Sequence, residues 1–261
     1  MSRTILMIID PQNDFVDPKG SLYVKGAEEV VPKIAEYIRQ YGENYTDIIV
    51  TLDTHRKIHI SLSNGWTHKP APFTRVVKKV SDDFELTAQD LPLKYYGAEG
   101  VQIWPDHCII GTWGHCIPEV LTDALAEWEI KKRKGVFYQR KGEDCGFEAY
   151  SALTKEILTG VKPKWRTWGE EQDEIDGGTT IWPRQFDICG FCKDICVAET
   201  VKDLVKHAGE RNIDLLEDLC ATLDSGSKNL KTLKKLEEDG SINITSTHRI
   251  IREGKELSIK E

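Results

Sequence analysis

The chain has 261 residues, of which 39% are hydrophobic and 30% charged, and a formal net charge of -8 at pH 7. That composition suits a soluble globule with a sizeable core, and the acidic balance argues against general attraction to nucleic acid or to anionic membranes. No apolar run approaches the roughly 20 residues of a membrane span. Met1-Ser2-Arg3 leads into β-branched sequence with no cleavage signature, and seven cysteines fit reduced thiols better than a disulfide framework. The plain expectation is a cytoplasmic protein.

Residues 4–10 (Thr-Ile-Leu-Met-Ile-Ile-Asp) read as a fully buried strand that ends in a carboxylate. Residues 28–41 carry Val30, Val31, Ile34, Tyr37 and Ile38, the apolar stripe of a helix. Residues 47–53 form a second buried strand, again closed by an aspartate. Residues 66–101 are long, hold three prolines and show no clear period. A helix over 120–127 with its flanks, a strand over 135–140 and a short helix over 151–158 come next. Residues 162–182 are polar and acidic, with three tryptophans. A strand over 186–191, a helix over 197–208, a strand over 213–216, a lysine-rich helix over 228–238 and a strand over 242–245 complete the chain. Loops as long as 66–101 and 162–182 are usually lids, oligomer contacts or disordered. No internal repeat or low-complexity linker divides the chain, so it reads as one domain over 1–261 with long insertions near 66–101 and 162–182.

Strands of continuous apolarity joined by helices predict a three-layer α/β/α fold with a mostly parallel, Rossmann-like sheet covered on both faces. In such a sheet the crevice lies beyond the carboxyl ends of the strands. Asp10, Asp53, Lys141 and the loop 190–196 all fall there.

Each of these positions has a chemical reading and a plainer one. Cys196 opens a helix, where unpaired N–H groups stabilise a thiolate and can hold an oxyanion; the plainer reading is a core thiol, as expected for Cys189 and Cys220. Cys192 and Cys196 could also form a disulfide or half a metal site, but no second pair with ligand spacing follows. Asp10 can take a thiol proton or form an Asp-Pro turn, and Asp14 is the runner-up, with local hydrogen bonding as its expected role. Asp53 and His55, two apart after a strand, project to one side. Joined by His107, they make an Asp-His-His set that suits Zn²⁺, Mn²⁺ or Fe²⁺. Lys141 would hold a nearby thiolate and carboxylate ionised, or be one more solvated residue of a basic neighbourhood.

In chain order, D-P-Q-N-D-F from Asp10, D-x-H from Asp53, W-P-D-H-C-I-I-G-T-W-G from Trp104, K-G from Lys141 before Y-S-A, and C-G-F-C-K-D-I-C from Cys189 resemble the nicotinamidase branch of the isochorismatase-like hydrolases over residues 4–247. The resemblance implies a six-stranded sheet and a triad of Asp10, Lys141 and Cys196. It implies metal ligands Asp53, His55 and His107, with His59 as a possible further one and Zn²⁺ favoured over Mn²⁺ and Fe²⁺. It also implies a cis Phe191–Cys192 peptide that aims the N–H groups of Cys192 and Cys196 at an oxyanion. Phe15, Trp104 and Tyr150 match aromatics that enclose the substrate ring. The implied reaction is nicotinamide and water to nicotinate and ammonia through a thioester, in a homo-oligomer with a small-molecule amide as partner. Residues 66–101 and 162–182 are longer than in compact members. Hydrolysis of another small amide or an N-carbamoyl compound, and a non-catalytic binding module on the same fold, are the alternatives. Isochorismatase chemistry is disfavoured by the presence of the metal set and the cysteine.

Overall fold

The computed structural model describes residues 4–66, 69–76, 100–146, 148–153, 185–207 and 212–247. Its centre is a parallel sheet of six strands: β1 (Thr4–Ile9), β2 (Asp47–Asp53), β5 (Phe137–Lys141), β6 (Gln185–Gly190), β7 (Asn212–Cys220) and β8 (Asn243–Thr245), in the order β5-β2-β1-β6-β7-β8. Two short strands, β3 (Arg75–Val76) and β4 (Val101–Gln102), pair antiparallel beside it.

Successive side chains of a strand point to opposite faces, and both faces of β1 are buried. Leu6 and Ile8 pack on one side with Val31, Ile34 and Ile38 of a helix (α2, Ala27–Tyr41) and Leu121, Leu125 and Trp128 of another (α3, Glu119–Lys132). Ile5, Met7 and Ile9 pack on the other side with Val201 and Leu204 of α4 (Ala198–His207) and Leu233 of α5 (Lys228–Glu238). This explains the absence of alternation in the strand sequences. A short helix, α1 (Asn13–Val16), follows β1 directly.

The chain leaves β1 to β2 on one side and returns to β6 on the other, so the strand order reverses at the β1–β6 pair. Ligand crevices of open parallel sheets form there, beyond the carboxyl ends. The expected helix over 151–158 does not start where the composition suggested: Ser151–Leu153 are turn, and 154–158 lie outside the described residues. So do 162–182 and most of 66–101. What is described of the latter is anchored by Trp66, packed with Ile60, Val101 and Ile103 and donating its indole N–H to Ile60 O at 2.7 Å.

No helix among the described residues is long and apolar enough to cross a membrane, and all seven cysteines are free thiols.

Candidate active site

Strand ends deliver the site. Asp10, wholly buried, leaves the β1 ladder with φ 47°. Thr51 of β2 fixes it, accepting the Asp10 N–H at 3.0 Å and donating to Asp10 Oδ1 at 2.7 Å. Asp53 and Lys141 close β2 and β5 as register partners, so both side chains leave on one side of the sheet. The Lys141 ammonium lies 2.8 Å from Asp10 Oδ2 and 3.2 Å from Asp53 Oδ1, and it donates to Cys196 Sγ at 3.5 Å.

β6 ends at Gly190, with φ 117°, where a Cβ would come within 2.2 Å of Ile9 O. Only glycine allows that close pass. The Phe191–Cys192 peptide is cis. Residues Lys193–Val197 then wind into a π-helical turn that runs into α4. The helix expected to start at Val197 is thus entered through a wider turn, closed by Val197 N–H on Cys192 O at 3.2 Å. Single π turns are frequent at functional sites. Cys196 sits in this one, buried.

Burial pushes the Cys196 thiol well above its ordinary value; Lys141 pulls against this, and Asp10 and Asp53 push further. Charge on this sulfur would be desolvated beside two carboxylates, so burial and those carboxylates favour the thiol form, against the pull of Lys141. Burial also raises Asp10, against the pull of Lys141, which makes it a stronger base than an exposed aspartate. Burial opposes the Lys141 charge, but Asp10, Asp53 and Cys196 together hold the ammonium well above the usual lysine value. Burial opposes the Asp53 charge too, yet His55, Lys141 and His107 bring its carboxyl well below the usual range.

Asp53, His55 and His107 each offer a ligand atom, all within 4.8 Å of one another. His55 Nδ1 faces His107 O at 3.3 Å and His107 Nδ1 faces Pro105 O at 2.7 Å. A carbonyl accepts only, so both rings carry their proton on Nδ1 and turn Nε2 inward, the usual arrangement of metal-binding histidines. The Nε2 atoms lie 3.5 Å (His55) and 3.2 Å (His107) from the Asp53 carboxylate. Gly142 leaves the room: a Cβ there would stand 3.0 Å from His55 Nε2 and 3.2 Å from Asp53 Oδ1. Burial works against a charge on His55, but Asp53 and Glu148 outweigh it and raise the ring to about 9. This spot attracts positive charge, and its donor set fits a divalent cation.

No protein-family model matches the chain. Among curated proteins it is 30% identical over 128 residues to the nicotinamidase of Saccharomyces cerevisiae, a match covering 48% of this chain and about half (53%) of that relative's length. It is 28% identical over 203 residues to the nicotinamidase of Schizosaccharomyces pombe, covering 75% and 73% of the two chains. Solved structures share the fold: an Acinetobacter baumannii nicotinamidase/pyrazinamidase (TM-score 0.67, 22% identity, 96% of this chain and 99% of that one) and the yeast nicotinamidase bound to nicotinaldehyde (TM-score 0.67, 23% identity, 94% and 100%). A Pyrococcus horikoshii pyrazinamidase in complex with zinc is similar too (TM-score 0.57, 21% identity, 94% and 99%). The chain is thus similar in sequence to two curated nicotinamidases and shares its fold with solved nicotinamidases and pyrazinamidases.

The remaining residues singled out from sequence are the aromatics, His59 and Asp14. Trp104 donates its indole N–H to the Tyr150 hydroxyl at 3.0 Å, and Phe15 lies 5.5 Å from the His107 ring. His59 stacks 4.3 Å from His55 but belongs to a second cluster, His55, His59 and Glu148, rather than to the one holding Asp53. Burial takes His59 down to about 4, so it is neutral, with Nδ1 accepting the Ser61 N–H at 3.2 Å. Asp14 hydrogen-bonds locally to Ser21 N–H at 3.0 Å and also takes the Cys108 N–H at 2.7 Å, bracing the residue next to His107. No cysteine takes part in a candidate cation cluster among the described residues.

Sequence reasoning missed Glu148, whose Oε1 is 3.3 Å from His55 Nε2, and Gln12. The Gln12 amide takes the Asp53 N–H at 2.7 Å and donates to Asp53 O at 2.7 Å, which sets the direction of the carboxylate. Gln12 lies inside the D-P-Q-N-D-F turn, and its place in that motif was the available signal. Glu148 had none.

Proposed function

We propose that this chain is a metal-dependent cysteine amidohydrolase that converts nicotinamide and water to nicotinate and ammonia. The observation that carries the reading is the Lys141 ammonium, 2.8 Å from Asp10, 3.2 Å from Asp53 and 3.5 Å from Cys196. Base, nucleophile and a carboxylate of the cation cluster meet at one buried charge. The choice of nicotinamide follows the two yeast relatives.

Asp10 takes the Cys196 proton as Sγ attacks the carboxamide carbon, a general-base role worth about 10²–10⁴ in rate. Lys141 holds the Asp10 carboxylate in place and offsets charge building on sulfur. The N–H groups of Cys192 and Cys196 receive the oxyanion, each such donor being worth about 10²–10³ in kcat. The neighbouring N–H groups of Lys193, Ile195 and Val197 are engaged by Ala221 O and Cys192 O. Asp10 passes its proton to the amide nitrogen, the C–N bond breaks and ammonia leaves a thioester on Cys196. Asp10 then takes a proton from water, the water oxygen joins the acyl carbon, the C–S bond breaks, and Asp10 returns that proton to sulfur to restore the thiol. Asp53, His55 and His107 would hold the divalent cation, Zn²⁺ first and Mn²⁺ or Fe²⁺ by the same donors, and it would supply a Lewis-acid anchor for the substrate's ring nitrogen. Phe15, Trp104 and Tyr150 enclose the ring.

One feature favours a second substrate class, another small amide or an N-carbamoyl compound. Phe73, 64% exposed, stands edge-on to Trp104 at 6.1 Å. An aromatic rim of this kind can bind a group larger than a bare pyridine ring. Ammonia release from nicotinamide, pyrazinamide and N-carbamoyl substrates, with metal-loaded and chelator-treated protein, tests both readings. Nicotinamide should be the best substrate, and chelation should abolish turnover. No ammonia from any of them with metal-loaded protein would leave the binding-module reading standing.

A further inference from the structure

We propose that Asp194 and Thr200 are positioning residues for the nucleophile: each ties one side of the turn that carries Cys196 to a different neighbouring segment. The proposal rests on the amidohydrolase reading and adds to it the question of what holds the sulfur in register with Lys141.

The need for a latch follows from the backbone. A π turn pairs its N–H groups five residues back, a wider winding than the α-helix and rarely sustained beyond a single turn. The turn Lys193–Val197 lies between the end of β6 at Gly190 and the start of α4 at Ala198, so strand pairing and α-helical pairing each stop short of it. A position error of about 1 Å at a reacting atom costs on the order of 10²-fold in rate, so the turn needs anchors from outside itself.

Asp194 supplies them on one side. It is 2% exposed, and its carboxylate accepts the Leu223 N–H at 2.9 Å and the Asp224 N–H at 3.0 Å, both in the loop between β7 and α5. Its carbonyl accepts from Asn229 Nδ2 at 3.0 Å and from Ser227 Oγ at 3.5 Å, at the start of α5. The preceding Lys193 N–H donates to Ala221 O at 2.8 Å. Bonds from N–H groups to a carboxylate are roughly twice as strong as neutral ones, and both oxygens of this one are spent on the latch, two residues before the nucleophile.

Thr200 supplies the other side. It is wholly buried, and its hydroxyl donates to the carbonyl of Cys196 itself at 2.7 Å. A threonine bonding four residues back is common in helices. Here the same oxygen also accepts the Ala152 N–H at 3.0 Å, from a segment 48 residues away in sequence. That segment carries Glu148, which faces His55, and Tyr150, which is held by Trp104. One hydroxyl thus joins the nucleophile's backbone to the wall of the pocket and to the edge of the cation cluster.

Three variants test this in metal-loaded protein. Asp194→Asn keeps the volume but sets an NH₂ against one of the two backbone N–H groups. Thr200→Val keeps the shape and removes both the donor and the acceptor. Thr200→Ser restores the hydroxyl. With nicotinamide, Asp194→Asn and Thr200→Val should lower kcat roughly 10- to 100-fold with KM within about twofold, and Thr200→Ser should return to within about threefold of wild type. Alkylation of Cys196 by iodoacetamide at fixed pH should slow several-fold in the first two, as sulfur drifts from the ammonium. If Asp194→Asn does not fold, Asn229→Ala loosens the same latch from the surface. Wild-type kcat and alkylation rate in folded Thr200→Val would overturn the proposal, as would kcat losses in the three variants that merely follow their Tm. Wild-type protein that releases no ammonia would count against the amidohydrolase reading, while equal alkylation rates in wild type and Thr200→Val would still count against the latch.

Discussion

Two polar networks sit at opposite ends of the same parallel sheet, and they are built on different rules. At the amino ends of the strands, the Tyr37 and Tyr45 hydroxyls meet at 2.6 Å and Tyr45 donates to Asp187 Oδ2. Gln185 bridges Asp187 Oδ1 and Asp214 Oδ2, at 2.7 Å each, and Asn243 donates to Asp214 Oδ1 at 2.8 Å. Donors and acceptors are matched along the chain of contacts, which is what a network serving stability requires. At the carboxyl ends, an ammonium is shared among two carboxylates and a thiol. There Asp10 Oδ2 faces the Lys141 ammonium but accepts no hydrogen bond of good geometry among the described residues. A network that does chemistry keeps an acceptor available. The sheet therefore has a closed end and an open end, and substitutions should act differently at each.

The largest effect is expected at the open end. Cys196→Ala should abolish nicotinamide turnover, by about 10⁴-fold or more, because the acyl acceptor is gone. Its Tm should stay within a few degrees of wild type, since one small side chain at a crevice rim carries little packing; residual turnover near wild type would remove Cys196 from the mechanism. Lys141→Ala should lower kcat/KM by roughly 10²–10⁴. It should also move the acid limb of the kcat/KM profile to higher pH, because Lys141 pulls the Asp10 carboxyl down against burial and its removal lets the base rise. An unshifted limb would mean that Asp10 is not the titrating base.

At the closed end the signs reverse. Tyr45→Phe leaves Asp187 and Tyr37 each short of a partner and should cost about 1–3 kcal/mol of stability, read by urea unfolding, with kcat within twofold of wild type. A drop in kcat at unchanged stability would break the division between the two ends. The smallest effect is on pH dependence. Burial raises Asp187, while hydrogen bonds from Tyr45 and Gln185 oppose it. The folded state therefore binds that proton more tightly than the unfolded chain does. The stability it contributes is complete below the ordinary carboxylate range and is lost as pH rises through the raised folded value. Asp187→Asn should flatten that part of the curve, and a curve of unchanged slope would show that Asp187 is already charged when folded.

Much of this was legible in the sequence because the sheet is covered on both faces. Continuous apolar runs in residues 4–10 and 47–53 signalled a parallel layer, and the aspartates ending them, Asp10 and Asp53, had to emerge at its carboxyl edge; Lys141 ends a more polar strand at the same edge. His55 and His107 were legible through the motifs around them. Glu148, Asp194 and Thr200 were not, because each also takes a partner 29 to 93 residues away in sequence that the local pattern does not show. The upward push on the Cys196 thiol was hidden for a related reason. The sequence shows that a lysine and a helix start are near, whereas the burial that opposes them depends on how the whole crevice packs.

The central claim is that Cys196 carries the acyl group. Hydroxylamine added during nicotinamide turnover by the zinc-loaded protein competes with water for a thioester. Wild type should divert nicotinate into nicotinohydroxamate as hydroxylamine rises, and Cys196→Ala should form neither product. Nicotinate made without any hydroxamate, or either product made by Cys196→Ala, would contradict the account.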